Sequence, residues 1–187
     1  MSRKQKEIKM AVSIAAAIFL VLLYCLIFTF SEQDGETSGN FSFRVTQAII
    51  EGIGRLAGGF AEDFKASLIA YWEHPVRKLA HFSEYAVMGS LVYLMLRPWK
   101  QRDKKLCMVV VVWVFLSAAA DEFHQLFVEG RCGNFADVLL DTAGGGFGTF
   151  LCTLIDKIVC KKNSENKRQK LTQGETCKIA LFRKKQK

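Results

Sequence analysis

A mixed group of acidic, basic and polar side chains lies in the stretch DEFHQLFVEGR. It contains Asp121, Glu122, His124, Gln125 and Arg131, and it directly follows an apolar run that would suit lipid. Carboxylates and an imidazole can exchange protons or hold a divalent cation, and a guanidinium is shaped to bind phosphate. Because ionisable groups inside a membrane span are costly unless they are paired or used, this stretch is the first candidate for a functional site.

Two further stretches, RKLAHFSEY and DVLLDTAGGGFG, carry side chains of the same kind. With the first stretch they make up the candidate site residues, which are Lys78, His81, Glu84, Tyr85, Asp121, Glu122, His124, Gln125, Arg131, Asp137 and Asp141. Spacings of three and four residues place members of each stretch on one face of a helix. Gly144 and Gly148 share the face of the last two aspartates and predict close packing against a neighbouring helix. A phosphate-binding glycine loop is disfavoured, because it needs a preceding strand and a following lysine.

Four apolar blocks are long enough to hold these side chains at a membrane surface. They are residues 10–30, 79–96, 106–127 and 135–155. The first carries no charge, and a helix of about 20 residues spans about 30 Å, the thickness of the hydrocarbon core. A cleaved signal peptide would be shorter and would end at a small-residue cleavage site. The sequence therefore predicts an all-α integral membrane protein with four transmembrane helices, in preference to a soluble helical bundle.

The distribution of charge predicts which way these helices cross. Residues 1–9, 97–105 and 156–187 together hold 20 of the 26 Lys and Arg. Since basic residues are retained on the cytoplasmic side, both termini and the loop 97–105 are predicted to be cytoplasmic. Segments 31–78 and 129–134 then face outward. The three polar stretches fall at the outward ends of three helices, so we expect them to share one pocket that opens away from the cytosol.

The segment before the second crossing has a pattern of its own. An apolar stripe runs from Val45 to Leu68 at steps of three or four residues, which predicts one or two amphipathic interfacial helices. The dipeptide His74–Pro75 is expected to break the chain before the second transmembrane helix, and we interpret His74 as an ordinary interfacial histidine. At the other end of the chain, the tail after Cys160 is basic, polar and without periodicity. This composition predicts a solvated, disordered tail that also fixes topology, in preference to a segment attracted to anionic lipid at the inner surface.

Three interpretations of the predicted pocket stay open. In the first, it binds a polar lipid headgroup, an envelope precursor or a glycopeptide, with Arg131 suited to phosphate and the acids suited to amines. In the second, the histidines and acids bind a metal or share acid–base work on a lipid-linked substrate, although no known catalytic motif such as HExxH is present. In the third, the same groups form a satisfied polar network. We favour the first, and expect no cofactor and no resident metal.

The three stretches VRKLAHFSEY, DEFHQLFVEGR and DVLLDTAGGGFG, in this order, resemble the VanZ-like family of small bacterial membrane proteins over residues 41–155. The resemblance implies a multi-pass helical protein of the bacterial cytoplasmic membrane. It implies membrane lipids as partners rather than nucleic acid, and leaves the oligomeric state open. The family's founding member is associated with reduced susceptibility to the glycopeptide teicoplanin.

Individual residues of the family motifs can be carried over to this chain. The matching positions are His81, Tyr85, Asp121, Glu122, Gln125, Gly130, Arg131 and Asp137. One position departs from the family pattern, because Asp141 stands where the family usually has Asn. If a neutral side chain matters there, the resemblance implies a different ligand or a different response to pH for this protein.

Overall fold

The structure is a computed structural model and describes residues 3–33, 35–98 and 104–185. It consists of five helices, which are α1 (Arg3–Ser31), α2 (Gly35–Leu56), α3 (Glu62–Leu96), α4 (Lys104–Gln125) and α5 (Phe135–Lys185). The prediction of an all-α protein is therefore confirmed. Most of the predicted loop 97–105 lies outside the described residues, which resume at Lys104.

Four of these helices are long and apolar enough to cross a membrane: α1, α3, α4 and the part of α5 from Phe135 to Lys162. The prediction of four membrane spans, with a shorter helix between the first and the second, is confirmed. The helices extend beyond the apolar blocks seen in the sequence. The first begins at Arg3 rather than at residue 10, because its basic start is as compatible with a helix as its apolar part.

The expected break at His74–Pro75 is wrong, because α3 runs through Pro75 as a single helix. Proline removes one backbone donor and crowds the preceding turn, so a helix continues through it only where other contacts hold both sides. Arg77 supplies such contacts. Its Nη2 donates to Glu73 Oε1 at 3.1 Å, across the proline, and its Nε donates to Ser42 Oγ of α2 at 3.1 Å. The tertiary partner therefore overrides the local signal.

Helix α3 lies at the centre of the packing and contacts α1, α2 and α4. Its fully buried side chains are Tyr85, Met88, Val92 and Tyr93. Helix α4 buries a ridge with a four-residue repeat, formed by Leu106, Val110, Val114 and Ala118. A repeat of four is the ridge spacing by which helices interdigitate. The core thus forms from one stripe on each helix, while the remaining apolar side chains are exposed, as lipid-facing residues are.

The glycines of α5 bring its backbone against that of α3. A Cβ atom at Gly144 would clash with the backbone oxygen of Phe82, and one at Gly148 would clash with that of Ala86. Gly146, on another face of the same helix, has nothing within 4 Å of such an atom. Small residues thus allow close packing of helices, as the sequence predicts.

Helix α2 turns a small polar face to the protein and its apolar stripe away from it. Thr46 and Ile50 are buried, whereas Ile49 and Ile53 are 47% and 53% exposed. The hydroxyl group of Thr46 donates a hydrogen bond to the carbonyl oxygen of Ser42. An apolar stripe that faces away from the fold is typical of a helix at a membrane surface, and the interfacial position of α2 stays a prediction.

The chain divides into two compact units, residues 1–149 and 150–187. The first contains all the candidate site residues. In the second, helix α5 continues to Lys185, so the expectation of a disordered tail after Cys160 is wrong for the backbone. Its composition, rich in Lys and with several Leu and Gln, favours helix even without an apolar stripe.

Candidate functional site

A polar cavity of about 200 Å³ lies where the start of α5 meets α3 and the end of α4. Its walls include seven of the eleven candidate residues, which are Lys78, His81, Glu122, Gln125, Arg131, Asp137 and Asp141. They come from three helices and from the loop between α4 and α5. The structure thus brings most of the predicted cluster together around one space.

Two of the carboxylates in the wall are already engaged in holding the start of α5. Lys78 forms an ion pair with Asp137, which ties α3 to the first turn of α5. Glu122 Oε2 accepts a hydrogen bond from the backbone N–H of Asn134 at 2.8 Å, and Asn134 Oδ1 in turn accepts one from the N–H of Ala136 at 3.1 Å. The first backbone donors of a helix lack partners within the helix, so these contacts cap α5.

Arg77 and Arg131 both line the polar cavity. Arg131 Nη2 donates to the carbonyl oxygen of Phe30 at 2.9 Å, which joins the α4–α5 loop to the last turn of α1. Both arginines also line a smaller, mainly apolar cavity of about 90 Å³, together with His81 and Glu84. The two cavities therefore share a basic border.

Asp141 differs from the other acids in the wall. It is 1% exposed, and neither of its carboxylate oxygens has a hydrogen-bond partner among the described residues. A buried carboxylate without a partner costs several kcal/mol, so it persists in a protein only where something offsets that cost. Because Asp141 lines the polar cavity, a group bound in that cavity can offset this cost.

Three candidate residues point away from the polar cavity. Tyr85 and Asp121 line a separate, mainly apolar cavity of about 440 Å³, although Asp121 Oδ2 accepts a hydrogen bond at 3.1 Å from Gln125 in the polar wall. His124 stacks on Phe28 of α1 with ring centroids 4.7 Å apart, and its Nδ1 is buried without a partner among the described residues. Where the sequence predicts a single pocket, the structure has a polar cavity beside two mainly apolar cavities.

The structure adds His74 and Arg77 to the cavity wall, neither of which the sequence analysis placed among the candidates. His74, Lys78 and His81 follow one another at steps of four and three, so they share one face of the uninterrupted α3. The sequence shows this spacing, but the expected break at Pro75 excluded a helix face that includes His74.

The described residues contain no group of three or more His, Cys, Asp and Glu side chains close enough to share a metal ion. The metal-dependent form of the enzyme interpretation requires such a group from the acids and imidazoles of the three stretches.

Comparison with known families agrees with the motifs that line this cavity. Residues 16–156 match the VanZ/LLP1 family, and this match covers more than half of the chain. The chain belongs to the VanZ/LLP1 family. The matched region starts inside α1, earlier than the resemblance over 41–155, so the first span is part of the VanZ/LLP1 domain. Neither a curated protein nor a solved structure matches this chain significantly.

Proposed function

We propose that this VanZ/LLP1 protein binds the polar headgroup of a lipid-anchored envelope molecule that carries both a phosphate and a positively charged amine. The observation that carries the proposal is Asp141, whose two buried carboxylate oxygens have no partner among the described residues while its side chain lines the polar cavity. An ammonium group supplies the opposite charge and the donors that this carboxylate lacks.

The balance of charge in the wall supports a ligand with both signs. Three basic side chains, Arg77, Lys78 and Arg131, face three carboxyl groups, Glu122, Asp137 and Asp141. Lys78 and Asp137 pair with each other, and Glu122 caps α5. The oxygens of Asp141 have no partner among the described residues, and we propose that Asp141 binds the amine while Arg77 and Arg131 contribute to binding the phosphate. A zwitterion satisfies both without adding net charge to a buried site.

Guanidinium groups are the side chains best matched to phosphate, because their fork of N–H donors pairs with two oxygens at once. Arg77 uses only part of its five donors on Glu73 and Ser42. Arg77 lines both the polar cavity and the smaller, mainly apolar cavity, and we propose that its remaining donors bind the phosphate. A purely structural network is the competing interpretation, and it would leave no reason for Asp141 to stay unpaired.

Binding of phosphoethanolamine to the purified full chain in detergent micelles tests the proposal by calorimetry. Wild-type protein should bind it more tightly than ethanolamine or inorganic phosphate alone. Asp141→Asn keeps the shape but removes the charge, so it should weaken binding by about 2 kcal/mol, or roughly 30-fold. Asp156→Asn is the matched control, a buried acid of the same helix that does not line the cavity, and should bind as wild type.

Equal binding of phosphoethanolamine by wild type and Asp141→Asn would refute the role of this carboxylate. No binding of any of the three compounds by wild type would refute the function itself. Release of phosphate or of the amine during the titration would instead favour an enzyme that acts on a lipid-linked substrate.

We further propose that occupation of the cavity changes the susceptibility of the cell to teicoplanin, as the family resemblance implies. Cells expressing wild type should tolerate a higher concentration of teicoplanin than cells expressing equal amounts of Asp141→Asn. The control variant Asp156→Asn should behave as wild type in the same dilution assay. Identical inhibitory concentrations for all three strains would separate headgroup binding from antibiotic susceptibility.

A further inference from the structure

The apolar cavity of about 440 Å³ lies between α1, α3 and α4 and has no part in headgroup binding as proposed above. Its walls are mainly apolar and include Ile27, Phe28, Met88 and Leu116. An apolar cavity of about 150 Å³ is enough to bind benzene, so this one has room for a longer hydrocarbon. Because the chain has four candidate membrane spans, the surrounding lipid can supply such a hydrocarbon.

The apolar cavity begins one helical turn from the polar cavity on two helices. On α3, Tyr85 of the apolar cavity follows His81 of the polar cavity by four residues. On α4, Asp121 of the apolar cavity precedes Gln125 of the polar cavity by four residues and accepts its hydrogen bond. A turn corresponds to about 5.4 Å along a helix, so the two cavities are close neighbours on both helices.

The apolar cavity then extends away from the polar cavity along the same helices. From Asp121 to Trp113 the distance along α4 is about 12 Å, from a rise of about 1.5 Å per residue. Hydrogen bonds join α1 to α4 at that far end, where Tyr24 Oη lies 2.5 Å from Ser117 Oγ and accepts from Trp113 Nε1 at 2.9 Å. The cavity is therefore elongated along the spans and tied together at the end remote from the headgroup.

We propose that this apolar cavity holds part of a hydrocarbon chain of the same lipid whose headgroup occupies the polar cavity. The proposal rests on the proposed function for its headgroup. It assigns the two cavities to the two parts of one amphiphile, with the junction at Asp121 and Tyr85. The ligand is then a membrane-anchored molecule selected by both parts, rather than a soluble zwitterion.

Photolabelling of the full-length wild-type protein tests this proposal directly. The probe is phosphatidylethanolamine with a diazirine in the middle of one acyl chain, mixed into phosphatidylcholine vesicles that contain the protein. Labels mapped by mass spectrometry should favour Met88 and Leu116 over Val112, which is 51% exposed on α4 and outside the cavity. The expected ratio is about tenfold, a preference of about 1.4 kcal/mol for the cavity over the surrounding lipid.

Competition by soluble phosphoethanolamine then links the chain to the headgroup. An excess should reduce cavity labelling about tenfold and leave Val112 labelling unchanged, because displacing the headgroup releases the chain. Binding of phosphoethanolamine without loss of cavity labelling would overturn this inference and leave headgroup binding intact. Failure of phosphoethanolamine to bind at all would refute the proposed function instead, and with it the lipid described here.

A variant in which a larger side chain fills the apolar cavity gives a test that does not depend on competition by phosphoethanolamine. Ala120→Phe places a ring among the lining residues and should abolish labelling of Met88, while binding of phosphoethanolamine stays as in wild type. Ala143→Phe, the same change at an exposed position of α5 outside both cavities, is the control and should label as wild type. Equal labelling of Met88 in the two variants would overturn the proposal, and equal thermal unfolding of the two shows that both are folded.

Discussion

Replacement of Gly148 by Ala is the sharpest test of how α5 is held, because it changes one methyl group at a backbone contact. A Cβ at this position would overlap the backbone oxygen of Ala86 in α3, and the side-chain oxygen of Ser90 would lie within 2.8 Å of it. A flexible side chain could turn away, but a backbone oxygen cannot move without its helix. The two helices must therefore separate locally for the methyl group to fit.

The size of the effect follows from two opposed contributions. Alanine is favoured over glycine in a helix by about 1 kcal/mol. Forcing a methyl group into a packed interface costs about 1–3 kcal/mol. Gly146→Ala, where the added methyl group meets nothing within 4 Å, has only the first contribution. The difference between the two variants therefore isolates packing, and Gly148→Ala should be less stable than Gly146→Ala by about 1–3 kcal/mol.

Reversible unfolding in mixed micelles of mild detergent and dodecyl sulfate measures this difference. Gly148 and Asp141 lie seven residues apart on one face of α5, so separation from α3 also moves the wall of the polar cavity. Binding of phosphoethanolamine should accordingly weaken in Gly148→Ala and not in Gly146→Ala. Equal stability of the two variants, or a more stable Gly148→Ala, would refute the close contact between α3 and α5.

Three other expectations concern the cap of α5, the topology and the α1–α4 contact. Glu122→Ala should lower the free energy of unfolding by about 1–3 kcal/mol, because the Asn134 N–H loses its acceptor, and Glu122→Gln, which keeps an acceptor, should cost less. In single-cysteine variants, the exposed Cys132 should react with an impermeant maleimide in intact cells and Cys160 only after lysis; the reverse pattern would invert the predicted orientation. Tyr24→Phe should cost about 1 kcal/mol, because two hydrogen bonds to α4 are lost, and an unchanged unfolding midpoint would contradict this.

Much of this architecture was predictable from local sequence alone. Long, mainly apolar runs identify the four spans, since a single helix satisfies its own backbone within lipid. The spacing of Gly144 and Gly148 predicts their packing contact, because residues three or four apart share a helix face. Grouping of seven candidates around one cavity follows from their common position at the ends of the spans.

The orientation of each polar side chain depended on neighbours that are distant in sequence. Spacing shows which residues share a helix face, but not which neighbouring helix that face meets. His124 thus contacts Phe28 of α1, and Arg131 donates a hydrogen bond to the carbonyl oxygen of Phe30. The same reason explains why α3 continues through Pro75, since a contact with α2 holds it.

The sequence by itself therefore determined the number of spans, their glycine-rich contact and the end at which the polar groups gather, because each depends on the period and composition of a single segment. Only the tertiary structure decided which of those groups are already paired. It leaves Asp141 buried with no partner among the residues that the structure describes, and it puts Asp121 beside an apolar cavity, since pairing depends on distances between atoms of different helices.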